Sequence, residues 1–201
     1  MNNSSEQRIS LSACWQNVLN DETEALSIIH KTLYPDLFHY ANNLLKDEEL
    51  AEDSIQELFI KVWTKRAKIG ELTYVKAYLF TALRRDILNR LRNLHLRSLK
   101  ITGTEEADIE FSPEDIIIAS EDDTRRKQQI GKLLNALPKR QKEVIYLKYF
   151  DDLDYDEIAQ IMGINYQSVV NLSFKAIRFL RVQLSKEGPK IFTIFLNKKS
   201  I

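Results

Sequence analysis

Apolar residues recur every three to four positions along most of the chain, which is the spacing of helices with one buried face. The spacing of Trp15, Leu26 and Leu33 predicts helical structure between about residues 12 and 45, with residues 1–12 frayed. Pro35 is expected to break or restart this helix. Two further apolar stripes predict helices over residues 48–65 and 74–92, joined by a short loop around Gly70.

The stretch over residues 137–181 predicts three more helices, of which the last two form a helix-turn-helix. Asp154 is a good N-cap, and Glu157 three residues later completes the spacing of a capping box. Gly163 stands where a helix end needs a left-handed residue, and Asn165 is a good cap for the helix that follows. These positions agree with one another, although a short two-helix corner of another kind would share part of the pattern.

The last helix has two distinct faces. The apolar face is expected to pack inward; its members are Val169, Leu172, Ala176, Leu180 and Leu184. The other face is expected to point outward; its members are Gln167, Val170, Asn171, Phe174, Lys175 and Arg178. Because a helix-turn-helix places its second helix in the major groove of DNA, the outward face is a candidate base-reading surface.

A polar trio lies on the helix predicted over residues 48–65. Asp53, Gln56 and Glu57 are three and four positions apart, so they share the face opposite the buried stripe. Taken alone, such a trio is most typical of a solvated surface.

Composition supports an all-α fold, since the 201 residues include only 5 Gly and 4 Pro and strand-like runs are nearly absent. The formal net charge is zero, but the charges are segregated. Residues 84–100 carry six Lys/Arg and one acid, residues 124–150 carry eight Lys/Arg and one acid, and residues 101–123 carry nine Asp/Glu and no Lys or Arg. Two basic blocks joined by an acidic segment are compatible with nucleic-acid binding.

The acidic segment predicts two small helical domains rather than one. Residues 98–123 contain Gly103 and Pro113 and are expected to form a linker, since a structureless connection of this length is uncommon inside one domain. The division is therefore residues 1–97, linker 98–123, residues 124–185 and a tail over 186–201. The tail either docks on the second domain or needs a partner.

Enzyme chemistry and membrane insertion are not expected. His30, His39 and His95 lack the spacing of a metal site, no Gly-rich phosphate loop is present, and no cofactor is predicted. The single cysteine, Cys14, excludes an internal disulfide. Together with a polar N-terminus and the lack of an apolar run of about 20 residues, this predicts a cytoplasmic protein.

Two segments resemble a known family. AEDSIQELFIKVW resembles the part of sigma region two that grips the core of RNA polymerase, and LPKRQKEVIYLKYFDDLDYDEIAQIMGI resembles sigma region four. The order of the two segments, with no further domain between them, resembles that of the extracytoplasmic-function group of the sigma-70 family. The segment NYQSVVNL further resembles the family members that are common in Bacteroidetes. The resemblance implies a factor that directs core polymerase to a promoter class and opens the duplex.

The resemblance also implies functional positions, each by match to the family pattern. Those expected to contact the coiled coil of the largest polymerase subunit are Asp53, Gln56 and Glu57. Those expected at the −10 element, on one helix and the neighbouring 65–71 loop, are Lys65, Lys68, Arg84, Arg85, Asn89 and Arg92. Those expected at the −35 element are Gln167, Ser168, Asn171, Phe174, Lys175 and Arg178.

Some positions depart from the family pattern. Val170 and Leu172 stand where many relatives have a cation, whereas Arg85 and Asn89 make the −10 face more basic than usual. The resemblance implies that the first domain supplies a larger share of DNA affinity. It also implies that the acidic linker threads the basic cleft of the polymerase, the alternative being a solvated tether.

The partners implied by the resemblance are core RNA polymerase, promoter DNA and an anti-sigma protein. A competing hypothesis is a self-contained helix-turn-helix regulator whose first domain dimerises or senses a ligand. Such a regulator binds duplex operator unaided as a two-fold complex, whereas a sigma factor binds promoter DNA poorly without core polymerase.

Overall fold

The computed structural model describes residues 3–97, 107–112, 115–116 and 124–185, and these contain helices and no strand. The all-α prediction is therefore confirmed for this part of the chain. The helices are α1 (Asn3–Leu19), α2 (Thr23–Leu45), α3 (Glu48–Ile69), α4 (Val75–Arg97), α5 (Thr124–Asn135), α6 (Lys139–Tyr149), α7 (Tyr155–Met162) and α8 (Tyr166–Ser185).

The first four helices pack into one bundle. Its centre contains fully buried large side chains from each helix, among them Trp15, Ile29, Leu58 and Leu83. Asp47 caps α3, and its side chain accepts a hydrogen bond from the backbone N–H of Leu50 at 3.0 Å. The predicted apolar stripe of α3 is thus buried, and the Asp47 side chain fixes the start of the helix.

Several helix boundaries in this bundle differ from the sequence prediction, including the end of α4, which lies at Arg97 rather than at residue 92. Helix α2 runs through Pro35 without a break, because apolar residues on both sides of the proline are buried and their packing outweighs one missing hydrogen bond. The break falls earlier, at Asp21, whose φ is 67°. Helix α1 begins at Asn3 rather than near residue 12, and α3 continues to Ile69, so Lys65 and Lys68 lie on its last turns rather than in a loop.

The linker is not a purely solvated tether. Ala107, Ile109, Phe111 and Ile116 are buried, and the Phe111 ring lies 5.2 Å from that of Phe150. The backbone of Phe111 also exchanges two hydrogen bonds with the Asn135 side chain, at 2.8 and 2.9 Å. Apolar residues at alternate positions, masked in the sequence by the neighbouring acids, explain this packing.

The two halves of the chain pack against each other, chiefly through α4 and α7. The division into domains at residues 98–123 stays a prediction. Residues 98–106, 113–114 and 117–123 of the linker and the tail over 186–201 lie outside the described residues.

Candidate nucleic-acid and polymerase interfaces

Helices α7 and α8 form the predicted helix-turn-helix. Asp154 and Glu157 make a complete capping box, with the Asp154 side chain accepting from the Glu157 N–H at 3.1 Å and the Glu157 side chain accepting from the Asp154 N–H at 2.9 Å. Gly163 ends α7 with φ 63°, a left-handed conformation that favours glycine. The Asn165 side chain accepts from the N–H of Ser168 at 2.7 Å, so the turn and the start of α8 are fixed by local bonds.

The outward face of α8 is exposed as predicted. Its exposed members are Gln167, Asn171, Phe174, Lys175 and Arg178, while Ser168 and Val170 are half-buried. Phe174 is 65% exposed, so its ring is available for contact with a partner. Gln167 donates a hydrogen bond to the side-chain oxygen of Asn171 at 3.2 Å, so two amide groups are held side by side. Such groups are suited to read base edges.

The polar trio on α3 lies on the surface. Asp53, Gln56 and Glu57 are all exposed, and Ile60 extends the same face with 64% of its surface exposed. The sequence prediction did not include Ile60. Its position three residues after Glu57 on the same helix could have indicated that it shares this face. An exposed apolar side chain beside acidic and amide groups can dock on another protein.

Glu57 also forms ion pairs with α4 and within its own helix. Its carboxylate accepts from Arg90 at 3.0 Å and from Lys61 at 3.3 Å, and Lys61 also donates to Asp86 at 3.0 Å. The Glu57 side chain is 52% exposed, so these are surface ion pairs that contribute about 0–1 kcal/mol each. A partner that binds Glu57 would therefore break these ion pairs at little cost in folding free energy.

The predicted −10 residues fall into two groups. Five of them are exposed: Lys65, Lys68, Arg85, Asn89 and Arg92. Arg84 differs, because its side chain is only 15% exposed and points towards the second half of the chain. Arg84 is therefore occupied by Glu143 in this structure rather than presented on the surface with the other five, and its role at the −10 element stays a prediction.

Arg84 is part of a buried cluster between the two halves. Its Nε donates to Glu143 Oε1 at 2.6 Å and its Nη2 to Oε2 at 3.1 Å, while the Tyr40 hydroxyl donates to Oε1 at 2.9 Å. Burial, followed by the charge of Glu143, raises the pKa of Tyr40 well above its usual value. Burial alone would lower the pKa of Arg84, but the bond to Glu143 and its charge raise it. The cluster therefore holds Arg84 charged and Tyr40 neutral.

Lys76 adds a further bond between the halves, and an ion pair ties the linker to α6. Lys76 donates to Asp36 at 2.6 Å and to the backbone oxygen of Asp151 at 2.7 Å, and Lys142 lies 2.5 Å from Asp108. Burial raises the pKa of the Asp108 carboxyl, but Lys142 outweighs it and the net pKa is lowered. Burial raises the pKa of Asp151 well above its usual value. These contacts join α2, α4, the linker and α6 in one network.

Among the described residues, no group of three or more His, Cys, Asp or Glu side chains is close enough to hold a metal ion. No described helix is long and apolar enough to cross a membrane.

Comparisons with known proteins match both halves of the chain. Residues 29–96 match the family model for sigma-70 region 2, and residues 127–180 match the model for sigma-70 region 4. The chain is 28% identical to the RNA polymerase sigma factor SigV of Bacillus subtilis, over 76% of this chain and 86% of that protein. It is also 28% identical to the ECF RNA polymerase sigma factor SigL of Mycobacterium tuberculosis, over 76% and 84% of the two chains.

A solved structure resembles the fold as well. It is the sigma factor RpoE of Bartonella quintana, in complex with the anti-sigma factor NepR. The TM-score is 0.56 and the sequences are 25% identical, over 79% of this chain and 96% of that one.

Proposed function

The chain belongs to the sigma-70 family, in its extracytoplasmic-function group, and we propose that it directs core RNA polymerase to a promoter class by reading −10 and −35 elements and melting the duplex. The observation that carries the proposal is the presence of two exposed faces in one chain. The polar face of α3 is suited to a protein partner, and the outward face of α8 is suited to the major groove.

The α3 face fits the coiled coil of the polymerase. Asp53 and Glu57 present carboxylates beside the amide of Gln56, and Ile60 adds an exposed apolar contact. An acidic patch that meets a basic helical surface sets register and on-rate, and the apolar contact adds burial. We therefore assign core binding to this face.

DNA contact is divided between the halves. Exposed cations and an amide of α3 and α4, among them Lys65, Arg85 and Asn89, are suited to the backbone and bases of a melted −10 strand. On α8, Asn171 is suited to pair with adenine, Lys175 with guanine or phosphate, and Phe174 to contact the thymine methyl group. Val170 is half-buried and supplies no charge, so the proposed −35 contacts depend on these neighbours.

The closed arrangement is proposed to be that of the free protein. Elements at −10 and −35 are about 25 base pairs apart, which is about 85 Å along the duplex. A compact chain of this length is only about 45 Å across. Since α4 and α7 are in contact, the halves must separate before both elements are bound. Separation would also release Arg84 from Glu143.

An anti-sigma protein is proposed as a further partner. The similar RpoE was solved with one, and the chain resembles that structure over most of its length. No bond chemistry is proposed, because the two faces supply binding groups and no nucleophile–base pair. Because the proposed action is on promoters, we propose a cytoplasmic location.

A binding experiment separates this proposal from that of a self-contained regulator. The purified chain is mixed with promoter fragments in the presence and absence of core polymerase, and complexes are resolved on native gels. The proposal predicts a specific complex only when core is present. A tight complex formed without core, with two chains on a two-fold symmetric site, would favour the regulator.

A further inference from the structure

Helix α1 lies outside the part of the chain that matches sigma region 2, which begins at residue 29. It nevertheless reaches the loop between α3 and α4. Trp15 of α1 is fully buried, and its indole N–H donates a hydrogen bond to the carbonyl oxygen of Gly70 at 2.8 Å. The two residues are 55 positions apart, so this is a long-range tie to the first residue of the loop.

Gly70, which accepts the hydrogen bond from Trp15, has a special backbone conformation. Its φ is 72° and its ψ is −157°, a combination that residues with a side chain adopt only with strain. The N–H of Gly70 still bonds the Arg66 carbonyl at 3.1 Å, which completes the end of α3. The direction in which the chain leaves α3 is therefore set by Gly70, and the Trp15 indole fixes its carbonyl.

A second tie comes from the turn between α1 and α2. Asp21, at φ 67°, accepts from Arg66 Nε at 2.6 Å and also from Arg66 Nη2. The same guanidinium lies 4.0 Å from the ring centre of Trp63 and donates to the Trp63 carbonyl at 2.6 Å. The last turn of α3 is thus held by α1 on one side and by the α1–α2 turn on the other.

Few side chains of the loop itself pack inward. Leu72 is half-buried against the core, whereas Glu71, Thr73 and Tyr74 are exposed, and Tyr74 retains 41% of its surface. Among the hydrogen bonds of the described residues, the Trp15–Gly70 bond is the long-range one that reaches residues 70–74. The path of the loop therefore depends on the packing of Leu72 and on the bond that fixes the carbonyl of Gly70.

We infer that Trp15 is a positioning residue for −10 recognition, and that α1 acts as a brace for the 70–74 loop. The inference rests on the proposed function, in which exposed residues of α3 and α4, the two helices that this loop joins, contact the melted −10 strand. Base capture requires a pocket of fixed shape, because unstacking is unfavourable and a loop that must order itself on binding adds to that cost. Loss of the indole bond should therefore weaken discrimination at the −10 element.

The test compares Trp15→Phe with the unchanged chain in the holoenzyme. Open complexes are followed by permanganate reactivity of −10 thymines, on a promoter fragment identified by run-off transcription and on fragments with single −10 substitutions. The readout is the ratio of open complex on the native and substituted elements at saturating core. A merely unstable protein lowers the signal on all fragments equally, whereas a misplaced loop lowers the ratio.

We expect Trp15→Phe to lower this ratio about two- to tenfold, which corresponds to the loss of one hydrogen bond. Core binding should be unchanged. Tyr155→Phe is the matched control, since it removes one side-chain hydrogen bond, to Ser173 at 3.1 Å, in the other half of the chain. It should leave the −10 ratio unchanged.

An unchanged −10 ratio in Trp15→Phe, with the unchanged chain active, would overturn the inference. If Trp15→Phe does not fold, benzothienylalanine at position 15 keeps the ring shape and removes only the N–H donor, and the same two outcomes apply. Failure of the unchanged chain to form any open complex with core would instead contradict the proposed function.

Discussion

Replacing Glu143 by alanine is expected to separate the two halves of the free chain. The Glu143 side chain is 1% exposed and accepts bonds from Arg84 and Tyr40, so the variant leaves Arg84 charged and unpaired inside the contact. Removal of one partner of a buried ion pair costs about 3–5 kcal/mol. The Arg84 side chain retains 15% exposure, so we expect the lower end of this range. The ratio of closed to separated forms should then fall roughly 150-fold.

Energy transfer between two dyes measures this change directly. Cys14 is the single cysteine, so Cys14→Ser permits labelling at Glu52→Cys and Gln160→Cys, which are exposed positions in the two halves. Transfer should be high in the unchanged chain and should fall in Glu143→Ala. Small-angle scattering should show a larger radius of gyration for the same variant.

A matched control tests whether burial is the cause. Glu110→Gln removes the ion pair with Lys46. The Glu110 side chain is 65% exposed and the Lys46 side chain is 44% exposed. Such a pair contributes about 0–1 kcal/mol, so transfer should remain close to that of the unchanged chain. Equal transfer in Glu143→Ala and the unchanged chain, or an equal loss in both variants, would refute the reasoning.

Three further predictions concern the remaining surfaces. Asp53→Ala combined with Gln56→Ala should abolish core pull-down while circular dichroism shows unchanged helicity; retained pull-down would remove the α3 face from core binding. Lys175→Ala should lower −35-dependent transcription roughly 5- to 150-fold without changing core binding, since one good base contact is worth about 1–3 kcal/mol; indifference of activity to Lys175 and to the −35 sequence would contradict the groove assignment. Asp151→Asn should change the pH dependence of stability. Burial raises the pKa of Asp151 above its ordinary value of 3.8. The contribution of this carboxyl to the free energy of unfolding is therefore favourable below pH 3.8, and it is lost as the pH rises through the raised pKa. Denaturant unfolding should show the asparagine variant more stable than the unchanged chain at neutral pH, and the difference should shrink towards pH 4. Identical pH profiles would show that titration of this carboxyl does not contribute to stability.

Local features of the second half could be predicted from the sequence. The capping box of Asp154 and Glu157, the left-handed Gly163 and the exposed face of α8 all depend on residues within a few positions of one another. Their physical causes are backbone hydrogen bonding and helical periodicity. The sequence pattern therefore contained enough information to place them.

Features that depend on distant residues could not be predicted. Arg84 and Glu143 are 59 positions apart. Helical spacing sets Arg84 between the buried residues Phe80 and Ile87, but no local feature identifies its distant partner. A signal existed in hindsight, since Glu143 is the single acid of the basic block over residues 124–150. Likewise, Pro35 is tolerated inside α2 because of packing that only the folded bundle supplies.

Run-off transcription with purified core polymerase tests the central claim most directly. Core alone and core with this chain are supplied with a library of genomic fragments, and the 5′ ends of the transcripts are mapped. We predict new start sites only when the chain is present, each preceded by a shared pair of elements near −10 and −35. The absence of new transcripts, from a chain shown to be folded and mixed with active core, would contradict the account.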